Sequence, residues 1–366
     1  MAHSSILTTK LYIPSPRPSL VPRPRQIALL DESINHKLTL VSAAAGSGKT
    51  TLLAEWSQKG TRASTLTGRI AWLCLDSRDN ALARFLTYLI AALQQVERGL
   101  GLEVQARLSA ELPIDRSASK CAAGTVVIET LLNPLINELV AVRDHMVVVL
   151  DDYHAIEAAD VQDAVAYLLN HLPPQLHLIL ATRVDPPLPL ARLRTNQEIL
   201  EIRAADLRFT PEEATVFLNE IMGLKLSAEE NAALEERTEG WIAGLQLAAL
   251  ALKTVATAPE RLAAEFIRSF SGRHHHIVAY LVEEVLSQQP EPIQRFLLQT
   301  AILERFNSDL CNAVTGRDDS HTILAHLYQA NLFIHPLDEE HTWYRYHHLF
   351  AEALETRLHV TYPEWE

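Results

Sequence analysis

Cysteine, glycine and positive charge are all scarce in this chain, and each scarcity removes a class of function. Its three cysteines, Cys74, Cys121 and Cys311, show no Cys-x-x-Cys spacing, so neither a disulfide framework nor a zinc site is indicated. Glycine (12) and proline (18) are too few for a fibrous or low-complexity chain. Basic residues number 32 against 45 acidic ones, a formal charge of −13. That sign argues against a surface that binds nucleic acid throughout, though a local basic patch still could. No apolar run reaches the roughly 18 residues of a membrane span, and Met1 to Lys10 lack a signal-peptide core. A soluble cytoplasmic protein with no membrane partner is expected. What remains is ordinary globular material: 366 residues, 48% apolar and 21% charged, enough for two or three domains.

Prolines at 14, 16, 18, 22 and 24 interrupt residues 8–25. Proline removes amide donors and fixes φ, so this stretch reads as an extended arm rather than helix or central strand. Its arginines (17, 23 and 25) could meet phosphate or simply be solvated. Apolar runs then alternate with helical patterns. Residues 38–43, 69–76, 146–152, 176–182 and 198–202 are rich in Val, Ile and Leu with little polar alternation, as parallel strands covered on both faces are. Helical segments between them predict a doubly wound α/β domain with a mainly parallel sheet. From Thr210 the strand signals stop. Thr210 reads as an N-cap with Pro211 at the first helical position and acids following. Helical periodicity continues to Gln288, including PERLAAEFIRSF (259–270), until Pro290 and Pro292 break it. The last 75 or so residues read as three helices, a hairpin (LFIHPL-DEEH-TWYRY) and a closing helix HHLFAEALETRL, the pattern of a winged helix.

The sharpest chemical signal is Ser42-Ala43-Ala44-Ala45-Gly46-Ser47-Gly48-Lys49-Thr50-Thr51, placed between a predicted strand and a predicted helix. A triphosphate needs inward backbone N–H groups, a cation near its outer phosphates and a hydroxyl on Mg²⁺. Ala45, Gly46, Ser47, Gly48 and Thr51 would wrap the phosphates, Lys49 supplies the charge and Thr50 the hydroxyl. Ala43 stands where the P-loop pattern has its first glycine, which requires negative φ there. The partner acid should end another central strand. Met146-Val147-Val148-Val149-Leu150-Asp151-Asp152 fits, with Asp151 holding Mg²⁺ through water and Asp152 orienting or deprotonating the attacking water. Arg183 ends the next strand on the rim where α/β sheets place ligands, a candidate γ-phosphate sensor. Asp152, Lys49 and Arg183 are thus the candidate catalytic residues. Other clusters read as structural. His274, His275 and His276 would point about 100° apart on a helix and cannot share one ion, and Trp241 to Leu252 reads as a core helix.

Taken in order, the phosphate loop, AWLCLD, VVVLDDYH, ATR, GWIAGLQLAAL and WYRYHHLF resemble the large ATP-dependent, LuxR-type transcriptional regulators of the maltose-activator-like group. These are STAND-class ATPases, relatives of NB-ARC proteins. The resemblance runs from Leu11 to about Leu358. It implies a P-loop nucleotide-binding domain over residues 26–205, a helical domain over 206–289 and a winged helix over 290–366, with the arm (1–25) near the nucleotide. Ala181-Thr182-Arg183 resembles the family's sensor motif. Leu20-Val21-Pro22-Arg23 occupies the place of the segment that covers the base, which makes Val21 and Arg23 nucleotide-binding candidates. Gln246 replaces the proline of the motif that packs near adenine. His347 aligns with the histidine that touches the β-phosphate of ADP, and His348 stands where an acid would be.

The implied function is an ATP/ADP switch with slow hydrolysis and self-association in the ATP state, serving a regulator whose inducer and DNA are bound by C-terminal domains beyond this chain. Two alternatives differ in kind. An ordinary P-loop kinase would need an arginine-rich lid and a second substrate pocket. A DNA-binding module would need a basic recognition helix, whereas HHLFAEALETRLHV carries one Arg against two Glu.

Overall fold

Five apolar runs supply one sheet. In the computed structural model, which describes residues 6–15, 20–63, 69–109, 120–255, 267 and 270–362, the strands are β1 (Leu38–Ser42), β2 (Ile70–Cys74), β3 (Met146–Asp151), β4 (Leu176–Thr182) and β5 (Ile199–Arg203). All pair in parallel in the order β2-β3-β4-β1-β5. Every residue of β1, β3 and β4 is buried, the double-sided burial their continuous apolar sequences require. Because the strands run the same way, their carboxyl ends share an edge: Ser42 lies opposite Thr182 and Arg203, and Cys74 opposite Asp151.

Proximity of Cα atoms groups the chain into two units. The first comprises residues 1–16, 23–42 and 49–203, and the second residues 17–22, 43–48 and 204–366. In the first, helices Lys49–Ala63, Leu82–Val96, Lys120–Val140 and Ala159–Asn170 alternate with the strands. Two shorter helices, Leu102–Ser109 and Leu190–Thr195, add to the expected set.

The proline-rich stretch corrects the expectation of an extended arm at both ends. Thr8–Leu11 forms a 3₁₀ turn, and Pro24 opens helix Pro24–Ser33 because its fixed φ and missing N–H suit a first turn. The 3₁₀ turn is anchored by Lys10, whose buried ammonium pairs with Asp76 at 3.0 Å and with the fully buried Asp79. Arg84 Nε donates to the same Asp79 at 3.0 Å. Residues 16–19, with Arg17, lie outside the described residues, as does most of 259–270.

The second unit is helical as far as a small wing. Thr210 accepts a hydrogen bond from the Glu213 amide while the Glu213 carboxylate accepts from the Thr210 amide, a capping box with Pro211 at the first position. Helices Ala228–Thr238, Ile242–Val255 and His275–Glu284 follow. Then come Glu291–Thr300, Ser308–Thr315 and Ser320–Gln329, the antiparallel hairpin Ile334–Pro336 with Tyr344–Tyr346, and helix His348–Thr361. Buried Phe296, Phe306 and Phe350 form the core of this part, and Tyr346 Oη lies 2.7 Å from Thr300 Oγ1. Cys74 and Cys311 are free thiols, and the Cys121 side chain is outside the described set. Among the described residues no helix is long and apolar enough to cross a membrane.

An imidazole sits inside the sheet. His177 of β4 is buried, with Nδ1 2.7 Å from the His36 carbonyl and Nε2 2.9 Å from Thr39 Oγ1. A carbonyl only accepts, so Nδ1 carries the proton and Nε2 takes one from the threonine hydroxyl. Burial lowers the His177 pKa from 6.5 to about 4. The folded chain therefore refuses a proton that the unfolded chain takes up below pH 6.5. Stability from this group is full above pH 6.5 and falls as the pH drops toward 4, by at most about 3 kcal/mol. Replacing it with a residue that does not titrate, His177→Gln, should flatten the stability loss between pH 6.5 and 4 in urea titrations. Equal losses in parent and variant would refute this assignment.

Candidate functional site

Ser42 ends β1, and the chain then turns through Ala43–Gly48 into helix Lys49–Ala63. The turn requires left-handed backbone at Gly46 (φ 72°) and Gly48 (φ 82°), whereas Ala43 avoids the left-handed region, as an alanine there must. Within the second unit the loop is gripped by its carbonyls. Trp241 Nε1 donates to the Ala45 oxygen at 3.0 Å, and the Ala243 amide donates to the Gly46 oxygen at 3.1 Å. A planar trans peptide opposes its C=O and N–H, so the amides of Gly46 and Ser47 point away from those two donors. A Cβ at Gly46 would lie 2.5 Å from Ala243 Cβ and 2.9 Å from Tyr280 Oη, which leaves no room for any other residue.

In the first unit, four charged groups meet at the carboxyl edge of the sheet. Lys49 is only 8% exposed. Burial and then the neighbouring Arg183 guanidinium lower its pKa to about 8, against the opposing pull of Asp152 and Asp151. Thr50 Oγ1 donates to Asp151 Oδ1 at 3.0 Å, and the Asp152 amide donates to the same oxygen at 3.1 Å. Burial and the adjacent Asp152 charge raise the Asp151 pKa to about 6. Asp152 itself sits in left-handed backbone (φ 56°) at the end of β3, with its side chain half exposed. Arg183 follows Thr182, whose hydroxyl donates to the Val184 carbonyl at 2.7 Å and accepts from the Val184 amide at 3.3 Å.

Two side chains join this group that sequence reasoning did not single out. His154 Nδ1 lies 3.8 Å from Asp152 Oδ1, and burial, Arg183 and Lys49 lower its pKa to about 4. Cys74 Sγ and carboxylate oxygens of Asp151 and Asp152 lie within 4.8 Å of one another, the one cluster of metal-ligand type among the described residues. The three histidines 274–276 make none. The signal for His154 was its place in VVVLDDYH; Cys74 is brought there by β2–β3 register. The oxygen donors of Thr50, Asp151 and Asp152 suit Mg²⁺, which prefers hard oxygen ligands. The Cys74 thiol does not, since burial and then Asp151 push its pKa up to about 11.

The remaining candidates fall as follows. Ala45, Val21 and Arg23 are buried, Ser47 is half-buried and Thr51 is exposed. His347 is buried at 3% exposure in the second unit, its ring edge-on to Trp241 and Phe333. Its Nε2 donates to the Thr238 carbonyl at 3.0 Å, and Nδ1 has no partner among the described residues. Burial lowers its pKa to about 4, so the ring is neutral and Nδ1 is a bare acceptor. Next to it, Glu239, in left-handed backbone (φ 49°), accepts a bidentate pair from Arg345 at 2.8 and 2.9 Å.

Similarity to known proteins fits this layout. Residues 282–366 match the family described as the MalT winged helix domain. Over 361 residues, 98% of the chain, the sequence is 32% identical to the HTH-type transcriptional regulator MalT of Vibrio cholerae serotype O1. The regulator of the same name in Yersinia pestis (strain Pestoides F) is 32% identical over 99% of the chain. The chain spans 38% and 37% of those relatives' lengths. Among solved structures, the Walker-type ATPase paby2304 of Pyrococcus abyssi aligns over 93% of this chain and 97% of that one, at a TM-score of 0.56 and 17% identity, a likeness of fold.

Removing the Lys49 charge while keeping its stem tests the loop. Lys49→Met should weaken Mg-ATP and Mg-ADP binding by about ten- to hundredfold, the loss of one charge-assisted hydrogen bond. The ligand-free melting temperature should not fall, because a buried ammonium beside Arg183 costs stability. Calorimetric affinities within twofold of the parent would refute the loop assignment.

Proposed function

We propose that this chain, homologous to the MalT transcriptional regulators over 98% of its length, is the nucleotide-operated switch of such a regulator. The observation that carries the reading is the convergence of Lys49 and Arg183 with Asp151 and Asp152 at one sheet edge, directly after a glycine loop. Burial and the like charge of Arg183 disfavour the Lys49 ammonium where the two cations meet. A polyanion relieves them, and a divalent cation relieves the two acids.

On this reading residues 26–205 bind the nucleotide, 206–289 form the helical domain, 290–366 the winged helix, and 1–25 the arm beside the base. The amides of Gly46, Ser47 and Gly48 face the phosphates, with Ala45 and Thr51 flanking them. Lys49 meets the outer phosphates, and Val21 and Arg23 border the base. Thr50 and Asp151 would hold Mg²⁺, which would supply positive charge to the phosphates. Asp152 holds the attacking water and takes up its proton, with His154 beside it fixing the carboxylate. Arg183 contacts the γ-phosphate and so distinguishes ATP from ADP. His347 contacts the β-phosphate of ADP through Nδ1, which must first take a proton to donate. ADP thereby holds a closed form, and ATP permits self-association. Inducer and DNA are bound by portions of the regulator that this chain does not span, in the cytoplasm.

Two substitutions test the roles. Asp152→Asn should slow single-turnover ATP hydrolysis by at least tenfold while changing ATP affinity less than threefold, roughly the split expected when an interaction acts only in the transition state. Unchanged hydrolysis would place the catalytic acid elsewhere. His347→Ala should speed ADP dissociation about ten- to hundredfold, the value of a hydrogen bond to a charged group, and affect ATP less. Unchanged ADP release with a uniform loss of melting temperature would reduce His347 to a packing residue.

A further inference from the structure

Arg183 is attached to a backbone turn, and a charge repelled by Lys49 needs that turn to be fixed. Thr182 anchors one side of it through the Val184 hydrogen bonds. Two residues past Arg183, Asp185 anchors the other. Its Oδ1 accepts from the Ser42 hydroxyl at 3.0 Å, and Oδ2 accepts from Arg203 Nη2 at 3.0 Å. Arg203 Nη1 donates to Oδ1 as well, closing a bidentate pair. Arg203 also reaches Glu201, which is itself clamped by Arg194 at 2.9 Å through both oxygens. Arg194 approaches Asp185 Oδ2 at 3.8 Å.

The positions of these partners matter more than their number. Ser42 is the last residue of β1, immediately before the phosphate loop, and Arg203 is the last residue of β5. Since β1 lies between β4 and β5 in the sheet, Asp185 spans three neighbouring strand ends. Ser42 is fully buried, while the Asp185 and Arg203 side chains are about one-third exposed. Arg203 is also the last residue of the first unit, so the tie ends where the chain leaves it.

We infer that Asp185 is a positioning residue that aims Arg183 and links its turn to the start of the phosphate loop and to Arg203. This rests on the reading of Arg183 as the γ-phosphate contact. A purely architectural Asp185 would hold strand ends together and weaken all nucleotides alike. A positioning Asp185 acts on the ligand that carries the γ-phosphate, because a misplaced donor loses its bond steeply with distance and angle.

The test uses the 366-residue chain with Mg²⁺ and compares ATP with ADP affinity by calorimetry, alongside single-turnover hydrolysis. Asp185→Ala should lower the ratio of ATP to ADP affinity about tenfold, slow hydrolysis at least as much, and leave ADP affinity within twofold. Asp185→Asn, which keeps one acceptor oxygen and the shape, should fall between and guards against a folding defect. Arg203→Ala should reproduce Asp185→Ala, and the double substitution should add no further loss. Equal weakening of ATP and ADP, or an unchanged ratio in both Asp185 variants, would overturn the inference. Arg183→Ala is run in parallel. If it abolishes the ATP preference while the Asp185 variants keep it, only the positioning role falls. If it too leaves the ratio unchanged, the γ-phosphate reading falls and this inference with it.

Discussion

The charges at the sheet edge are held in an arrangement that each of them, alone, resists. Lys49 is pushed toward its neutral form by burial and by Arg183, and Asp151 is pushed toward its neutral form by burial and by Asp152. The backbones that carry them are fixed, because Lys49 opens a helix, Arg183 follows β4, Asp151 ends β3 and Asp152 comes next. Parallel pairing puts those ends on one edge whatever else the chain does. The penalty of the ligand-free site is therefore built into the sheet, and on the proposed reading a magnesium-bound polyphosphate would remove it from both sides at once.

The phosphate loop adds a constraint of a different kind. Its glycines alone would leave the loop free to sample many conformations, an entropy cost that a ligand would have to meet on binding. Hydrogen bonds from Trp241 and the Ala243 amide to the loop's carbonyls remove part of that freedom beforehand. Those bonds also leave the loop amides for a ligand. Trp241 reads as core from its helical surroundings, and it is buried, but an indole N–H in a core still needs an acceptor. Here the acceptor is the loop.

The sequence made the sheet and the loop legible for physical reasons. Continuous Val, Ile and Leu runs mark strands covered on both faces, and Gly46, Gly48, Lys49 and Thr50 carry their spacing in the chain itself. Asp151 and Asp152 were legible because a strand delivers them. The proline-rich stretch was misread where proline has two compatible uses, and Pro24 opens a helix instead of extending an arm. Lys10 with Asp79, Cys74 beside Asp151, and Ser42 with Asp185 were not legible at all. Each depends on register between segments distant in sequence, and sequence periodicity fixes the face of a strand without fixing its partner's offset. Similarity to the MalT regulators, at 32% identity, does not supply these pairings either.

Energetic scale limits how such a switch can work. One charge-assisted hydrogen bond contributes about 1.5–3 kcal/mol, whereas inverting an equilibrium from 1:99 to 99:1 takes about 5.5 kcal/mol. On the proposed reading His347 by itself would bias a closed form without setting it. Its surroundings hold further contacts. Glu239 holds a left-handed backbone that costs on the order of 1 kcal/mol or more for a residue with a side chain, and it keeps that backbone while Arg345 grips it from the wing hairpin. The same short segment carries the Thr238 carbonyl that accepts the His347 hydrogen bond and, three residues later, the Trp241 that grips the glycine loop. Four hydrogen bonds thus rest on one strained turn, from Thr238 to Trp241, and on the proposed reading they would change together. On the proposed reading only such a cooperative unit could reach the required energy, since no single bond within it does.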